Sequence, residues 1–261
     1  MILLVDAGNS AIKWCLLDTT DMKLDDTQSA YYKDDEDDAA MFDEIWQDLA
    51  APEQVVISNV VDDEFGENVT QWCQSQWEIT PEIILSREQA HGVTNAYTHP
   101  EKLGTDRWAA MISGWNRFNK ACCIVDCGSA ITIDVLSNDG KHMGGLIVPG
   151  LAMMQQVLLD ETGISSGIET NNKYIGDENV GDEVSLLAND TGSGIHGGTV
   201  YAAVALIDRV MADLTNEAEL DVICVLTGGD AYRLLPLLST ECIHEPDLVV
   251  HGLAIFALGH R

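Results

Sequence analysis

Three stretches of the sequence bring an acidic residue, glycine and a hydroxyl residue together at the end of an apolar run. Leu3-Leu4-Val5 leads into Asp6-Ala7-Gly8-Asn9-Ser10, and Cys123-Ile124-Val125 leads into Asp126-Cys127-Gly128-Ser129-Ala130. Asp221 to Leu226 stops at Thr227-Gly228-Gly229-Asp230. Glycine at a hairpin tip has no side chain to block close approach, so backbone N–H groups and a neighbouring hydroxyl can donate to phosphate oxygens. A carboxylate at the strand end can hold a divalent cation directly or through water. Asp6, Gly8, Asn9 and Ser10 supply those parts, and Lys13 stands near the same tip to offset phosphate charge. Ordinary β-turns draw on the same residue types, so one Asp-x-Gly decides little. Two copies and a Gly-Gly-Asp turn form a pattern.

The elements that must position these tips alternate between strand and helix signals. Ile2 to Val5, Ala11 to Leu17, Val55 to Ser58, Glu82 to Leu85 and Ala121 to Val125 read as strands. Met41, Phe42, Ile45, Trp46 and Leu49 recur at helical spacing before Pro52, and Trp108, Met111, Ile112 and Trp115 do the same between Asp106 and Phe118. Asn138-Asp139-Gly140 predicts a hairpin, Pro149-Gly150 a break before a helix from Leu151, and Ala231 to Leu238 a helix behind the third tip. The strand and Asp-x-Gly turn at the start of each half repeat one another, which suggests an internal duplication. The reading is an α/β chain of two domains, residues 1–115 and 116–261.

Composition narrows the partners. The chain has 261 residues, 46% of them hydrophobic, enough for a sizeable core. Its 43 acidic residues against 13 basic ones give a formal charge of -30, which repels phosphate backbones and anionic lipid, so neither nucleic acid nor a membrane is an expected partner. No apolar run approaches the roughly 20 residues of a membrane span, and Asp6 interrupts the opening run too early for a secretory signal. A cytoplasmic location is expected. Cys15, Cys73, Cys122, Cys123, Cys127, Cys224 and Cys242 lie in apolar stretches without Cys-x-x-Cys pairing and read as reduced core residues. His91, His99, His142, His196, His244, His251 and His260 show no metal spacing, and His142 is expected to be exposed. Trp46, Trp72, Trp77 and Trp115 read as packing, and the acidic run Asp34 to Asp38 as a solvated lead into a helix. Asp106-Arg107, taken alone, reads as a helix N-terminal acid followed by a surface cation rather than as a site.

Neither Gly-x-x-x-x-Gly-Lys-Ser/Thr nor a strand-borne Gly-x-Gly-x-x-Gly is present. The duplicated Asp-x-Gly hairpin instead resembles the two phosphate motifs of the actin, sugar kinase and heat-shock ATPase superfamily, and Thr227-Gly228-Gly229-Asp230 resembles its adenosine motif. That likeness implies two duplicated actin-like, ribonuclease H-like α/β domains with a nucleotide cleft between them. A narrower likeness covers nearly the whole chain. Asp6 to Ser10 with Lys13, Asn95-Ala96-Tyr97, Pro100, Leu103-Gly104-Thr105-Asp106-Arg107-Trp108, Asp126 to Ala130 with Thr132 and Asp134, and Gly144 to Gly150 with Met154 are similar in order and spacing to type III pantothenate kinases.

This resemblance implies an ATP-dependent kinase that phosphorylates pantothenate in the first step of coenzyme A biosynthesis, works with Mg²⁺ and a monovalent cation (K⁺ or NH₄⁺), and forms a homodimer. Asp106 is then the general base, and Tyr97, Gly104, Thr105, Asp106, Arg107 and Thr191 form the substrate site. Asp6, Ala7, Gly8, Asn9, Ser10, Ala11, Ile12, Lys13 and Ser129 face ATP, and Asp126 holds the monovalent cation. Ser10 and Ser129 stand where the family usually has threonine, which keeps the hydroxyl. Another actin-like small-molecule kinase and a nonenzymatic regulator that kept the fold are the alternatives. The apolar stripe Tyr201, Val204, Ile207 and Met211, in a helix expected over Val200 to Leu214, suits a dimer surface or a core face equally.

Overall fold

The computed structural model describes residues 1–32, 37–162, 187–216 and 221–259. In chain order the first elements are β1 (Ile2–Ala7), β2 (Ala11–Asp18), β3 (Lys23–Leu24), β4 (Gln28–Tyr31), α1 (Asp38–Trp46), β5 (Gln54–Asn59), α2 (Asp63–Trp77), β6 (Glu82–Ile83), β7 (Gln89–Ala90), β8 (Val93–Thr94) and α3 (Thr105–Phe118). They are followed by β9 (Cys122–Cys127), β10 (Ala130–Leu136), β11 (His142–Pro149), α4 (Leu151–Glu161), α5 (Thr191–Asn216), β12 (Ile223–Thr227), α6 (Ala231–Leu234), β13 (Cys242–His244) and α7 (Leu248–Leu258).

Two sheets carry the duplication. The first runs β3-β2-β1-β5-β6 with β4 also on β2, and the second runs β11-β10-β9-β12-β13. In each, the first strand of the half lies between its hairpin partner and a later strand running parallel to it: β1 pairs antiparallel with β2 and parallel with β5, and β9 pairs parallel with β12. Both hairpin tips therefore sit at the carboxyl ends of central strands, where open α/β sheets present ligand sites.

The chain forms two compact units: Met1–Lys120 with Leu136–Gly144 and Asp247–Arg261, and Ala121–Val135 with Gly145–Pro246. This differs from the expected segments 1–115 and 116–261 in three places, one of them the Leu136–Gly144 turn, which belongs to the first unit. Helix α3 continues through residue 115 to Phe118, and the C-terminal helix α7 returns to the first unit, where it packs on α3 and β1. The close fit explains the return: a Cβ at Gly252 would collide with the Ala109 backbone, so the two helices meet backbone to backbone.

In the first unit, pleating sorts the central strand. Leu3, Val5 and Ala7 join a core with Phe42, Trp46, Phe65 and Trp72 from α1 and α2. Ile2 and Leu4, also buried, take the other face with α3 and α7. The aromatic part of that core is tight: Phe42 stacks on Trp46 with centroids 5.2 Å apart, and Trp72 meets Trp77 edge-on at 4.8 Å. In the second unit Cys123, Val125 and Cys127 share a core with Cys224, Leu226 and the inner face of α5. All seven cysteines are free thiols, six of them buried and Cys242 half-buried.

Several local expectations are refined. Helix α5 spans 26 residues from Thr191 rather than beginning at Val200, and its stripe divides. Val204, Ile207 and Met211 enter the core, whereas Tyr201 remains 42% exposed. The expected helix over Ala231 to Leu238 ends at Leu234 and tightens into a 3-10 turn, Leu235–Leu237, that carries Pro236. Asp38 begins α1, while Asp34, Asp35 and Glu36 of the acidic run lie outside the described residues, as does His260.

Candidate active site

Hydrogen bonding within the first unit links the first hairpin to the start of α3. The Gly8 N–H closes the tip on the Ala11 carbonyl at 3.1 Å, leaving Asn9 and Ser10 exposed. Across the strands, Asp6 is in register with Lys13 on β2 and with Ser58 on β5. Asp6 follows Ile2 and Leu4 in the pleat and so takes the face on which α3 packs. The buried Ser58 hydroxyl lies 3.0 Å from Thr105 Oγ1, which also donates to the Asn59 carbonyl at 3.2 Å. Thr105 thus pins the N-terminus of α3 to the ends of the central strands. Asp106 and Arg107 follow on the first turn.

Asp106 is partly exposed, and its Oδ1 accepts from the Arg107 N–H at 2.7 Å. Gly104, the N-cap, makes room for it: a Cβ there would lie 2.5 Å from Asp106 Oδ1. Arg107 is 7% exposed, which excludes the surface-cation reading. Its Nη1 donates to the Tyr97 hydroxyl at 3.0 Å. The Tyr97 backbone is set by the buried Asn95, whose Oδ1 accepts the Tyr97 N–H at 2.9 Å. Tyr97 also stacks on His142, centroids 6.1 Å apart and planes 18° apart, and the Ala96 N–H points to His142 Nδ1 at 3.5 Å. Contrary to expectation His142 is buried, at 5% exposure. The β10–β11 turn, with Gly140 at φ +74°, starts β11 beneath the Tyr97 loop.

The second unit repeats the hairpin and adds a clamp. The Gly128 N–H reaches the Ala130 carbonyl at 3.1 Å, and Ser129 is exposed. Asp126, at the end of β9, is in register with Thr227 on β12. The turn beyond Thr227 folds onto the hairpin: the Asp230 N–H donates to the Cys127 carbonyl at 2.9 Å, and Gly228 sits at φ +92° against Asp126 Oδ1 and the Cys127 backbone. A side chain at Gly228 would fill the space beside that carboxylate. Burial, with Asp126 and Asp230 nearby, pushes the Cys127 thiol up, so it stays protonated and faces the core. Gly150 approaches the tip from the other side, its N–H on the Ser129 carbonyl at 2.9 Å.

Thr191 is the exposed first residue of α5. Asp190 caps that helix by accepting the Ser193 N–H at 2.9 Å. One turn on, Gln155 Nε2 bridges His196 Nδ1 at 3.3 Å and Thr199 Oγ1 at 3.1 Å. Burial, with Arg233 nearby, pulls His196 below the ordinary histidine value.

Sequence reasoning missed the roles of Ser58, His142 and Tyr32, and had Asn95 only as part of the Asn95-Ala96-Tyr97 motif. The Tyr32 N–H donates to the Ser10 carbonyl at 3.4 Å. Burial, then the Asp6 and Asp38 charges, push its phenol up. Only Ser58 left a usable signal, since the parallel β1–β5 pair predicts a partner beside Asp6.

Two sheets of one topology, each with an Asp-x-Gly hairpin at the end of its central strand, define an actin-like fold of the ATPase and sugar kinase class. An archaeal actin homolog of 11% identity matches with TM-score 0.50 over 98% of both chains. A Campylobacter jejuni protein described as a Baf family transcriptional activator matches with TM-score 0.60 at 20% identity, covering 99% of this chain and 100% of its own. The sequence profile of the type III pantothenate kinases matches residues 2–213. A type III pantothenate kinase of Nitrosococcus oceani is 43% identical over 262 residues, covering 97% of this chain and 92% of the relative. The chain belongs to the type III pantothenate kinase family.

Proposed function

We propose that this chain transfers the γ-phosphoryl group of ATP to the primary hydroxyl of pantothenate, the first step of coenzyme A biosynthesis, with Asp106 as the base. The observation that carries the assignment of roles is the hydrogen-bonded row in the first unit. Ser58, in register with Asp6, binds Thr105, and Thr105 fixes the turn that bears Asp106. One connected set of backbone positions therefore governs both the phosphate hairpin and the base.

The chain's own groups divide the work. Asp106 accepts the hydroxyl proton as the pantothenate oxygen forms its bond to the γ-phosphorus and the bond to the β-phosphate oxygen breaks. Arg107 and Tyr97, locked together by their hydrogen bond and by the His142 stack, orient the acid. Thr191 offers its hydroxyl to the same substrate. Asp6 to Lys13 lie along the ATP phosphates, where the exposed Asn9 and Ser10, with Ser129, present N–H and hydroxyl donors and Lys13 offsets charge. Asp6, a carboxylate at the end of β1, would hold Mg²⁺ directly or through water. Asp126, a carboxylate at the end of β9 packed against the Gly228 backbone, would hold a K⁺ or NH₄⁺ ion. When bound, these cations would supply positive charge to the phosphoryl oxygens. Among the described residues no helix is long and apolar enough to cross a membrane, and we place the reaction in the cytoplasm.

A panel of hydroxylated acids and sugars, scored by ADP release, tests the substrate: pantothenate should outcompete all others, and preference for a sugar would overturn the reading.

The working form is a homodimer built on the second unit. Its outer strand β11 exposes Leu146 and Ile147, the latter at 60%, and the adjoining helices expose Met153, Val157 and Tyr201. An apolar edge strand of this kind needs a cover. Light scattering should give the mass of two chains for the native protein and of one for Ile147→Glu/Val157→Glu. A native monomer across working concentrations would remove the dimer.

A further inference from the structure

We propose that Cys224 and Cys242 are an oxidation site: hydrogen peroxide joins them in an intramolecular disulfide that ties β13 to β12. The two residues are register partners on adjacent parallel strands. Neighbouring strands lie about 4.8 Å apart, inside the roughly 4.4–6.8 Å Cα separation that a disulfide spans. Their sulfurs are already in contact, 2.7 Å apart, so bonding needs no rearrangement of the sheet. Cys123 is the register partner of Cys224 on the other side, but it lies fully buried in the core. Cys242 is the one half-buried cysteine, and it stands on a three-residue strand at the sheet edge.

The chemistry of the pair favours the same order of events. Hydrogen bonding to Cys224 holds the Cys242 thiol below the ordinary cysteine value, against burial and the Asp208 charge. The same bond, followed by burial, pushes Cys224 up. Burial likewise pushes Cys15, Cys73 and Cys122 up to about 12, so they remain unreactive thiols. The Cys242 thiolate attacks peroxide, the O–O bond breaks, and the products are a sulfenic acid at Cys242 and hydroxide. The Cys224 sulfur then displaces the hydroxyl from Cys242. The S–S bond forms, and the Cys224 proton leaves with that hydroxyl as water. Two thiols and one peroxide thus give one disulfide and two waters. The closed loop contains the Thr227–Asp230 turn and α6, so oxidation restrains the segment that folds onto the second hairpin. In a reducing compartment such a bond is transient and reversible.

The test uses the full chain with stoichiometric hydrogen peroxide, an acid quench, alkylation under denaturing conditions and peptide mapping. The expected result is loss of two alkylatable thiols out of seven, one cross-linked peptide pair carrying Cys224 and Cys242, and recovery with dithiothreitol. Cys242→Ser should retain its six thiols after peroxide. Cys224→Ser should stop at a Cys242 sulfenic acid that dimedone traps. Hydrogen exchange in residues 228–241 should slow in the oxidised native protein and stay unchanged in Cys242→Ser. Seven free thiols after peroxide, or a cross-link that uses Cys123 instead, would overturn the proposal.

Discussion

Asp106→Asn is expected to lower kcat by about 10² to 10⁴, the usual cost of removing a general base, while the protein folds normally. In energy that is about 3 to 5 kcal/mol of transition-state stabilisation. The competing structural effect is smaller. Asp106 sits in the first turn of α3, where its charge gains about 0.3–1 kcal/mol from the helix dipole, and asparagine keeps an oxygen to accept the Arg107 N–H. The space beside Gly104 is also preserved, because the two side chains match in size. Arg107, Tyr97 and the hairpin donors are untouched, so the KM values for pantothenate and ATP should move far less than kcat. Steady-state kinetics with a thermal melt on the same sample decide it. A near-native kcat would remove Asp106 from the mechanism, and a melt lowered by many degrees would mean that its role is structural.

The second large effect concerns Asp126. Asp6 and Asp126 occupy equivalent places in the two hairpins, and symmetry alone would give both to Mg²⁺. Their surroundings differ. Asp6 is in register with Lys13 and Ser58, whereas Asp126 is in register with Thr227 and packs against the Gly228 backbone. A monovalent ion held there adds positive charge next to phosphates in a protein of formal charge -30, and its benefit grows as charge accumulates in the transition state. Replacing K⁺ with Na⁺ at fixed ionic strength should lower kcat/KM by about tenfold or more, roughly 1.4 kcal/mol. Asp126→Ala should lose both activity and the K⁺ response. Full activity in Na⁺ alone would end the cation assignment. K⁺ dependence that persists in Asp126→Ala would put the ion elsewhere.

What could be read from the sequence was local. The Asp-x-Gly tips announce themselves because strand, glycine and carboxylate are consecutive, and Tyr97, Asp106 and Arg107 fall within a dozen residues of one another. The missing parts depend on contacts between distant segments. The Ser58–Thr105 bond joins residues 47 apart, and no periodicity reports it. His142 reads as a surface residue beside a turn, yet the Tyr97 loop covers it. Helix α7 escaped because Leu248–Leu258 is apolar on all sides, so it shows no amphipathic pattern. Its return to the first unit also explains why the domain limits could not be drawn as two consecutive segments. Tyr201 and Ile207 look alike in the α5 pattern, but only the packed structure separates the exposed residue from the core one.

The central claim is pantothenate-dependent phosphoryl transfer, and product accounting with purified protein tests it most directly. In K⁺ and Mg²⁺, ADP and phosphopantothenate should appear in equal amounts, quantified together by liquid chromatography and mass spectrometry, with negligible ADP when pantothenate is omitted. ADP release that is indifferent to pantothenate, or that leaves pantothenate unmodified, would contradict the account.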